Sequence, residues 1–527
     1  MKIRVSQTGR AMAWLLFVSL VVRCILAAWM EFGNDEAYYW TYALFPDWSH
    51  FDHPGMVGWI IQLFSLNLRL DSEFFIRLSS VIFMTANTYI IYRIGKEIKD
   101  AQTGLYAALL YTASIYAFVI TGVFILPDTP MSLFWFLAFW MFVRYFRADR
   151  PKGIHLVVAG LFAGLCMLSK YSGVFMWIGV GLYILFFSRR TLKKPTLYVA
   201  LLISAICCFP ILYWNMQNDW ISFSFHGGRV GVFGKTDFST LGTEIAGEFF
   251  YNNPVNYILA LIALISVFLH KIDLEETVKR LILLIALPMI LTFLLFSLTK
   301  TTLPHWSAPA FNLLILLSAA MLSDSHPMLN GRFAMPKTIM AALAVLLLTI
   351  VIGVAEIKTG FIPLDHHTEE TDLGKDDFTL DMYGWRQLGP KFAALRAEKI
   401  ADGSMHEEDG IIADQWFPAA NIDYYVARPL GMKVYGFGKT EKIHKYLWIN
   451  EERGGINKGE RYWFISDSHL YKDPKLVYRW KFHDIIPAGT IDIERNGKTV
   501  RHFFVYMCQD LVYPPKTLTE LRTEKTQ

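Results

Sequence analysis

Residues 11–36 read AMAWLLFVSLVVRCILAAWMEFGNDE: an apolar run from Ala11 to Met30, then a turn carrying two adjacent acids, Asp35 and Glu36. A run of this length matches the ~20 residues of helix needed to cross the hydrocarbon core of a bilayer. It is too long for the apolar stretch of a secretory leader, and no small-residue cleavage site follows it, so it reads as a retained span. Further apolar runs recur near 73–94, 103–121, 131–147, 154–168, 172–188, 196–214, 254–270, 279–298, 304–323 and 337–355, which gives about eleven spans. Runs 154–168 and 172–188 flank Leu168-Ser-Lys-Tyr-Ser-Gly173, where the helix is expected to tilt or break. Composition agrees: of 527 residues, 54% are hydrophobic and 18% charged, where a soluble domain averages roughly 25% charged. The chain is therefore expected to be a polytopic α-helical membrane protein. Its net charge of +4 is too small to argue for a nucleic-acid partner. Cys24, Cys166, Cys207, Cys208 and Cys508 have neither metal nor redox spacing and form no disulfide framework.

Orientation follows from the basic residues, which collect in alternate connections. With Lys2, Arg4 and Arg10 cytoplasmic, the connections on that side carry Arg93, Lys96 and Lys99, then Arg144, Arg147, Arg150 and Lys152. Arg189, Arg190, Lys193 and Lys194 come next, then Lys271, Lys279 and Arg280, and lastly Arg332 and Lys337. The opposite connections hold only Arg69, Arg229 and Lys235 in their long loops. An odd number of spans puts the tail outside. From Glu356 onward charged residues become frequent and no run is long enough to span, while Arg461–Ile465 and Val500–Tyr506 are β-prone. The expected organisation is a membrane domain over 1–355, with outer loops 31–72 and 215–253, followed by an α/β or α+β domain over 356–527.

The residues that can do chemistry lie on the outer side. The first loop presents Asp35 and Glu36, then Asp47-Trp-Ser-His-Phe-Asp-His-Pro-Gly55, with Tyr38, Tyr39 and Trp40 suited to an interfacial belt. A carboxylate there can act as a general base, and Asp with His can hold a divalent cation. Asp128, between Pro127 and Pro130, has a structural reading as a helix cap. It also has a functional one, because a carboxylate at membrane depth is costly. Lys170 lies on the side where lysines are avoided; it either snorkels to the interface or neutralises a phosphate. His226 and Arg229 surround two glycines in a setting suited to an anion or metal, and Lys300 to Ser307 brings a Lys and a His to another outer edge. A transporter would instead place its ionisable groups near mid-span, in broken helices of two related halves.

Asp35-Glu36 after the first span, Phe51-Asp-His-Pro54, Pro127-Asp-Thr-Pro130, Leu168-Ser-Lys-Tyr171 and Lys300 to Trp306 with Pro309 together resemble the ArnT-like branch of the dolichyl-phosphate-mannose protein mannosyltransferase superfamily. These are integral membrane GT-C glycosyltransferases, and the likeness runs from Trp14 to Ser323 with a looser match in the tail. The resemblance implies a GT-C fold in the inner membrane of a bacterium, with the C-terminal domain periplasmic. It implies transfer with inversion from a polyprenyl-phosphate-linked sugar to a lipid (lipid A-like) or glycan acceptor; a protein O-mannosyltransferase is the alternative. Carried over by position, Asp35 and Asp128 match the family's acids of the first and second outer loops, and with Glu36, the neighbour of Asp35, they are the expected catalytic acids. Lys170, Arg229, Lys300 and His53 are the expected donor-phosphate ligands, with His53 standing where that branch has Lys. Asp52 and His226 are the candidate ligands for a divalent Mg, Mn or Zn ion. No Gly-rich nucleotide loop is present, in keeping with a lipid-linked donor and no nucleotide cofactor.

Overall fold

The structure, a computed structural model, describes residues 7–229, 236–327 and 335–521; Lys2, Arg4, Lys235 and Arg332 of the charge pattern lie outside them. Its contacts divide the chain into two units, one of residues 1–29 with 46–349 and one of residues 30–45 with 350–527. The expected partition at 355 had left residues 30–45 with the membrane domain.

The helices run in chain order as α1 Gln7–Trp29, α2 Asn34–Leu44, α3 Met56–Phe64, α4 Glu73–Ile98, α5 Ala101–Ala113, α6 Asp128–Phe146, α7 Gly153–Ser169, α8 Val174–Phe187 and α9 Pro195–Gln217. They continue as α10 Ile221–Arg229, α11 Phe238–Tyr251, α12 Pro254–Phe268, α13 Glu276–Ser297, α14 Ala308–Ser325 and α15 Lys337–Thr359. Every apolar run read from the sequence is occupied by helix. Run 103–121 is α5, a break at Ser114 and a π-turn Tyr116–Ile120. Among the described residues six helices are long and apolar enough to cross a membrane alone, α1, α4, α9, α13, α14 and α15, with a seventh if α11 and α12, bent by 103°, count as one. The protein is thus an integral membrane protein, and a count of about eleven spans needs the shorter helices to cross as well.

Within the membrane unit α14 is the hub, 83% buried along its apolar window. α1 and α9 turn Trp14, Phe17, Ile25, Leu202, Ile206 and Phe209 outward, as lipid-facing helices do. Lipid tails give helices no hydrophobic reason to associate, so close approach matters. Gly160 and Gly164, four residues apart on α7, supply it: a β-carbon there would stand 2.5 Å from the Ala200 carbonyl oxygen and 2.7 Å from Ser204 Cα of α9. Local chemistry sets the helix ends. Asp100 caps α5 by accepting from the Thr103 N–H at 2.7 Å. Asn253 caps α12 and ties two neighbours by donating to the Ala113 and Ala342 carbonyls, both at 2.9 Å. Basic residues gather at one end, where Lys99 pairs with Asp324, Arg144 with Glu97 at 2.8 Å and Arg147 with Glu275 at 2.6 Å. Asp128 starts α6 and Arg144 lies in its last turn, so acid and basic end stand about 24 Å apart at 1.5 Å per residue.

The tail unit holds a five-stranded sheet in the order β2-β1-β3-β5-β4, with β1 Gly410–Ala413, β2 Val434–Gly436, β3 Tyr462–Asp467, β4 Phe482–Arg495 and β5 Lys498–Leu511. β1 pairs in parallel with β2 and β3, whereas β5 is antiparallel to β3 and β4. β4 and β5 are joined through Asn496 and Gly497, both at positive φ, as a tight hairpin requires. Arg501 and Asp467 form an ion pair with side chains 0% and 1% exposed under this sheet. α2 packs in this unit. Tyr38, Tyr39 and Trp40, expected as an interfacial belt, are buried instead, with Tyr38 5.0 Å from the Trp416 ring and Trp40 5.2 Å from Tyr424. The reason is that α2 is buried on every side from Glu36 to Ala43, so protein surrounds all three consecutive rings. All five cysteines are unpaired.

Candidate active site

The site is built where α7 stops. Lys170 takes an extended conformation (φ −154°, ψ 139°), and a short 3₁₀ turn Tyr171–Gly173 restarts the chain as α8. The expected break is therefore present, and it swings the lysine off the helix. Its Nζ donates to Asp128 Oδ2 at 2.7 Å, between side chains 8% and 4% exposed. The other carboxylate oxygen, Oδ1, accepts from the Tyr116 hydroxyl at 2.9 Å. The capping reading of Asp128 is corrected here. Pro127 holds the N-cap position, no side chain caps the helix, and both Asp128 oxygens are engaged by side chains of other segments. Burial alone would raise the Asp128 pKa. The Lys170 charge and, behind it, His305 outweigh burial and hold the carboxyl below its ordinary range, so Asp128 is an anion at neutral pH.

Two imidazoles complete the electrostatics. Although each keeps a partly exposed edge, desolvation by the surrounding side chains pushes His53 down to about 3 and His305 down to about 4. Among the charges that act on them, Lys170 lowers both and Asp128 raises both. Both rings are neutral near pH 7 and each can offer one N–H donor. His305 is positioned by α11: Thr302 donates to the buried Glu244 at 2.7 Å and Ser307 to the buried Glu248 at 2.5 Å, which fixes the turn on either side of it. His53 lies in a loop held by Trp214 Nε1 donating to Asp47 at 2.6 Å and Ser222 Oγ donating to the His50 carbonyl at 3.0 Å.

The remaining sequence-derived residues fall as follows. Asp52 is buried, and its backbone carbonyl meets His226 Nε2 at 2.5 Å, with the His53 and His226 rings 5.8 Å apart. Arg229 ends α10, and its side chain lies outside the described residues. Lys300 is exposed, and it is His305 that reaches the electrostatic range of Asp128. Asp35 and Glu36 belong to the tail unit. Asp35 is exposed at the start of α2, while Glu36 is buried and accepts the Gly33 N–H at 3.0 Å, which caps its own helix. Among the described residues one group of three metal-type side chains brings its ligand atoms within 4.8 Å of one another, Asp365, His367 and Asp376 in the tail. Sequence reasoning missed Tyr116, which lies in an apolar run and carries no motif, and Glu244 and Glu248, whose i,i+4 spacing on an amphipathic helix was the available signal.

Comparison with known proteins agrees with this picture. Residues 52–214 match the family model described as dolichyl-phosphate-mannose-protein mannosyltransferase. The chain is 24% identical over 190 residues to a lipid A galacturonosyltransferase, RgtD, of Rhizobium johnstonii; the match covers 36% of this chain and 39% of that relative's length. ArnT from Cupriavidus metallidurans bound to undecaprenyl phosphate superposes with a TM-score of 0.62 at 11% identity, covering 95% of this chain and 98% of that one. Its apo form gives 0.61, also at 11% identity, over 94% and 97%. The architecture is thus the ArnT-like GT-C fold, and the resemblance read from the motifs is borne out.

Proposed function

We propose that this chain is an inverting glycosyltransferase that moves a sugar from a polyprenyl-phosphate donor to a lipid A-like or glycan acceptor at the periplasmic face of the membrane. The observation that carries the reading is the buried Lys170–Asp128 pair at the break between α7 and α8, flanked by neutral His53 and His305. The ArnT-like fold and the partial match to a lipid A glycosyltransferase support the donor and acceptor class.

Cleaving a glycosyl phosphate requires stabilising the negative charge that grows on the departing phosphate. Lys170 holds two N–H donors beyond the one given to Asp128, and His53 and His305 add one each. Donors preorganised in a site shielded from water are worth several kcal/mol to a developing anion. The C1–O bond to phosphate breaks with its electron pair passing to the polyprenyl phosphate, while the acceptor oxygen bonds to C1 from the opposite face. Asp128 is a poor base in this scheme, because Lys170 and Tyr116 already stabilise its anion; it orients Lys170 and the acceptor. A hydroxyl acceptor must lose its proton to a base; Asp35, exposed on α2 of the tail unit, is a separate candidate for that role, to be tested by substitution. A phosphate acceptor needs no base.

Asp52 and His226 remain the proposed ligands of a divalent ion that would add positive charge beside the phosphate. The test of the function is mass spectrometry of lipid A, glycans and glycoproteins from cells with and without the protein, together with Lys170→Ala in the purified enzyme. A sugar lost from lipid A or a glycan supports the reading; loss confined to glycoproteins supports a protein O-mannosyltransferase instead.

A further inference from the structure

Arg23 lies inside α1, a helix long and apolar enough to span the membrane, and is 0% exposed. A guanidinium at that depth is costly unless charges or hydrogen bonds answer it. Its Nη1 makes one long contact, 3.4 Å to Thr85 Oγ1, while Nε and Nη2 meet no hydrogen-bond acceptor. Among the described residues no carboxylate pairs with it. The unit's other fully buried arginine in this region, Arg77, has a plain structural task, donating to the Ala27 carbonyl at 3.0 Å in the last turn of α1.

What surrounds the Arg23 head is the π-turn Tyr116–Ile120. The guanidinium carbon stands 4.5 Å from the centre of the Phe118 ring. A β-carbon at Gly122 would lie 2.4 Å from the Phe118 carbonyl oxygen, 2.6 Å from that of Ala117 and 2.8 Å from Arg23 Nε. The cation and two carbonyl oxygens therefore crowd one point, which only glycine leaves open. Carbonyls at the C-terminal end of a helical turn carry partial negative charge, and a cation beside them stabilises that turn. π-turns are rare, and where they occur they re-aim side chains at functional sites. This turn, closed by the Thr121 N–H on the Tyr116 carbonyl at 2.9 Å, carries the tyrosine that holds Asp128.

The geometry points to Arg23 as a positioning residue for glycosyl transfer: its charge keeps the π-turn wound, and the turn keeps the Tyr116 hydroxyl on Asp128. This rests on the assignment of Asp128 and Lys170 to the transfer site. The effect is indirect, since Arg23 has no path to a reacting atom except through the turn.

The test places 3-fluorotyrosine at position 116 in the full chain, in lipid nanodiscs without donor or acceptor, and reads its ¹⁹F resonance. Arg23→Met removes the charge and keeps the bulk, and replacing a buried ion by an apolar side chain is frequently tolerated. The resonance shifts or splits in Arg23→Met and in Gly122→Ala, and stays at the wild-type position in Arg23→Lys. A resonance unmoved in both of the first two variants overturns the proposal. In transfer assays Tyr116→Phe loses about tenfold to a hundredfold, the worth of one hydrogen bond to a charged group. The Arg23→Met/Tyr116→Phe double variant loses no more than Tyr116→Phe alone, because both act through one contact. Losses that multiply mean a merely structural Arg23 and overturn it too. The fluorine signal needs no turnover, so a wild-type protein inert in transfer refutes the proposed function without deciding the role of Arg23.

Discussion

Asp128→Asn separates the charge of the buried pair from its shape. In the wild type a carboxylate 4% exposed and an ammonium 8% exposed meet at 2.7 Å. With an effective dielectric of about 20, charges at that distance attract by roughly 6 kcal/mol, most of which offsets the cost of bringing both out of water. Removing one partner leaves that cost standing for the other, and broken buried pairs typically lose about 3–5 kcal/mol. Asn keeps one oxygen to accept from Lys170 and presents an NH2 donor to the Tyr116 hydroxyl oxygen, so the expected loss is at the lower end, about 3 kcal/mol. Asp128→Asn combined with Lys170→Met removes both charges and should recover most of that stability while abolishing transfer. Transfer by Asp128→Asn should fall about 10²–10⁴-fold, since the ammonium loses its fixed direction toward the phosphate. The assay is thermal unfolding in nanodiscs beside transfer from an undecaprenyl-phosphate-linked sugar. Asp128→Asn with wild-type stability and wild-type turnover would refute the reasoning, as would a double variant less stable than the single one.

Acid should destabilise the membrane unit in a defined window. His53 and His305 have folded pKa values depressed to about 3 and about 4, so their contribution is complete above the unfolded value near 6.5 and is lost as pH falls toward 4. Each can contribute up to about 1.4 kcal/mol per pH unit inside that window. His305→Gln should flatten the fall in unfolding temperature between pH 6.5 and 4, and an unchanged profile counts against the assignment. On α2, Glu36→Gln should cost on the order of 1 kcal/mol by weakening the cap on the Gly33 N–H, with near-normal turnover. Asp35→Asn should leave stability alone and cut transfer to hydroxyl acceptors about 10²–10⁴-fold; the reverse outcome for the two variants removes Asp35 from the mechanism. Dialysis against a chelator should reduce transfer and added zinc or manganese restore it if Asp52 and His226 hold an ion, and full activity after chelation rejects that ion. A tag after Gln527 should be reached by impermeant reagents from the periplasmic side, and labelling only from the cytoplasm contradicts the charge-derived orientation.

The two-unit design matters for how such variants are read. Asp467 is no neutral control in the tail: it is locked to Arg501 in a fully buried pair, so its substitution reports folding rather than chemistry. Asp414, joined to Lys472 with 13% of its side chain exposed, is the milder control.

Hydropathy and charge bias act along the chain, and what they govern was legible in the residues themselves. The apolar runs became helices at their expected places, the break at Leu168–Gly173 appeared where polar residues interrupt the run, and the β-prone pieces near 461–465 and 500–506 became β3 and β5. Asp128 and Lys170 were each readable as unusual residues for their membrane depth. Their partnership was not, because 42 residues separate them and the 2.7 Å contact depends on Lys170 leaving helical geometry at the end of α7. Tyr116 was invisible for the same reason, since only the π-turn aims it. Arg23 did carry a signal, a cation in an apolar run, but its role depends on a bare Gly122 that sequence order places far away. Choosing His305 over Lys300 required the two glutamates of α11 to fix the turn. Local composition determined which segments enter the membrane, since transfer free energy sums residue by residue. Which side chains meet was decided only by tertiary packing, because a pairing energy exists only when close contact excludes water between segments distant in the chain.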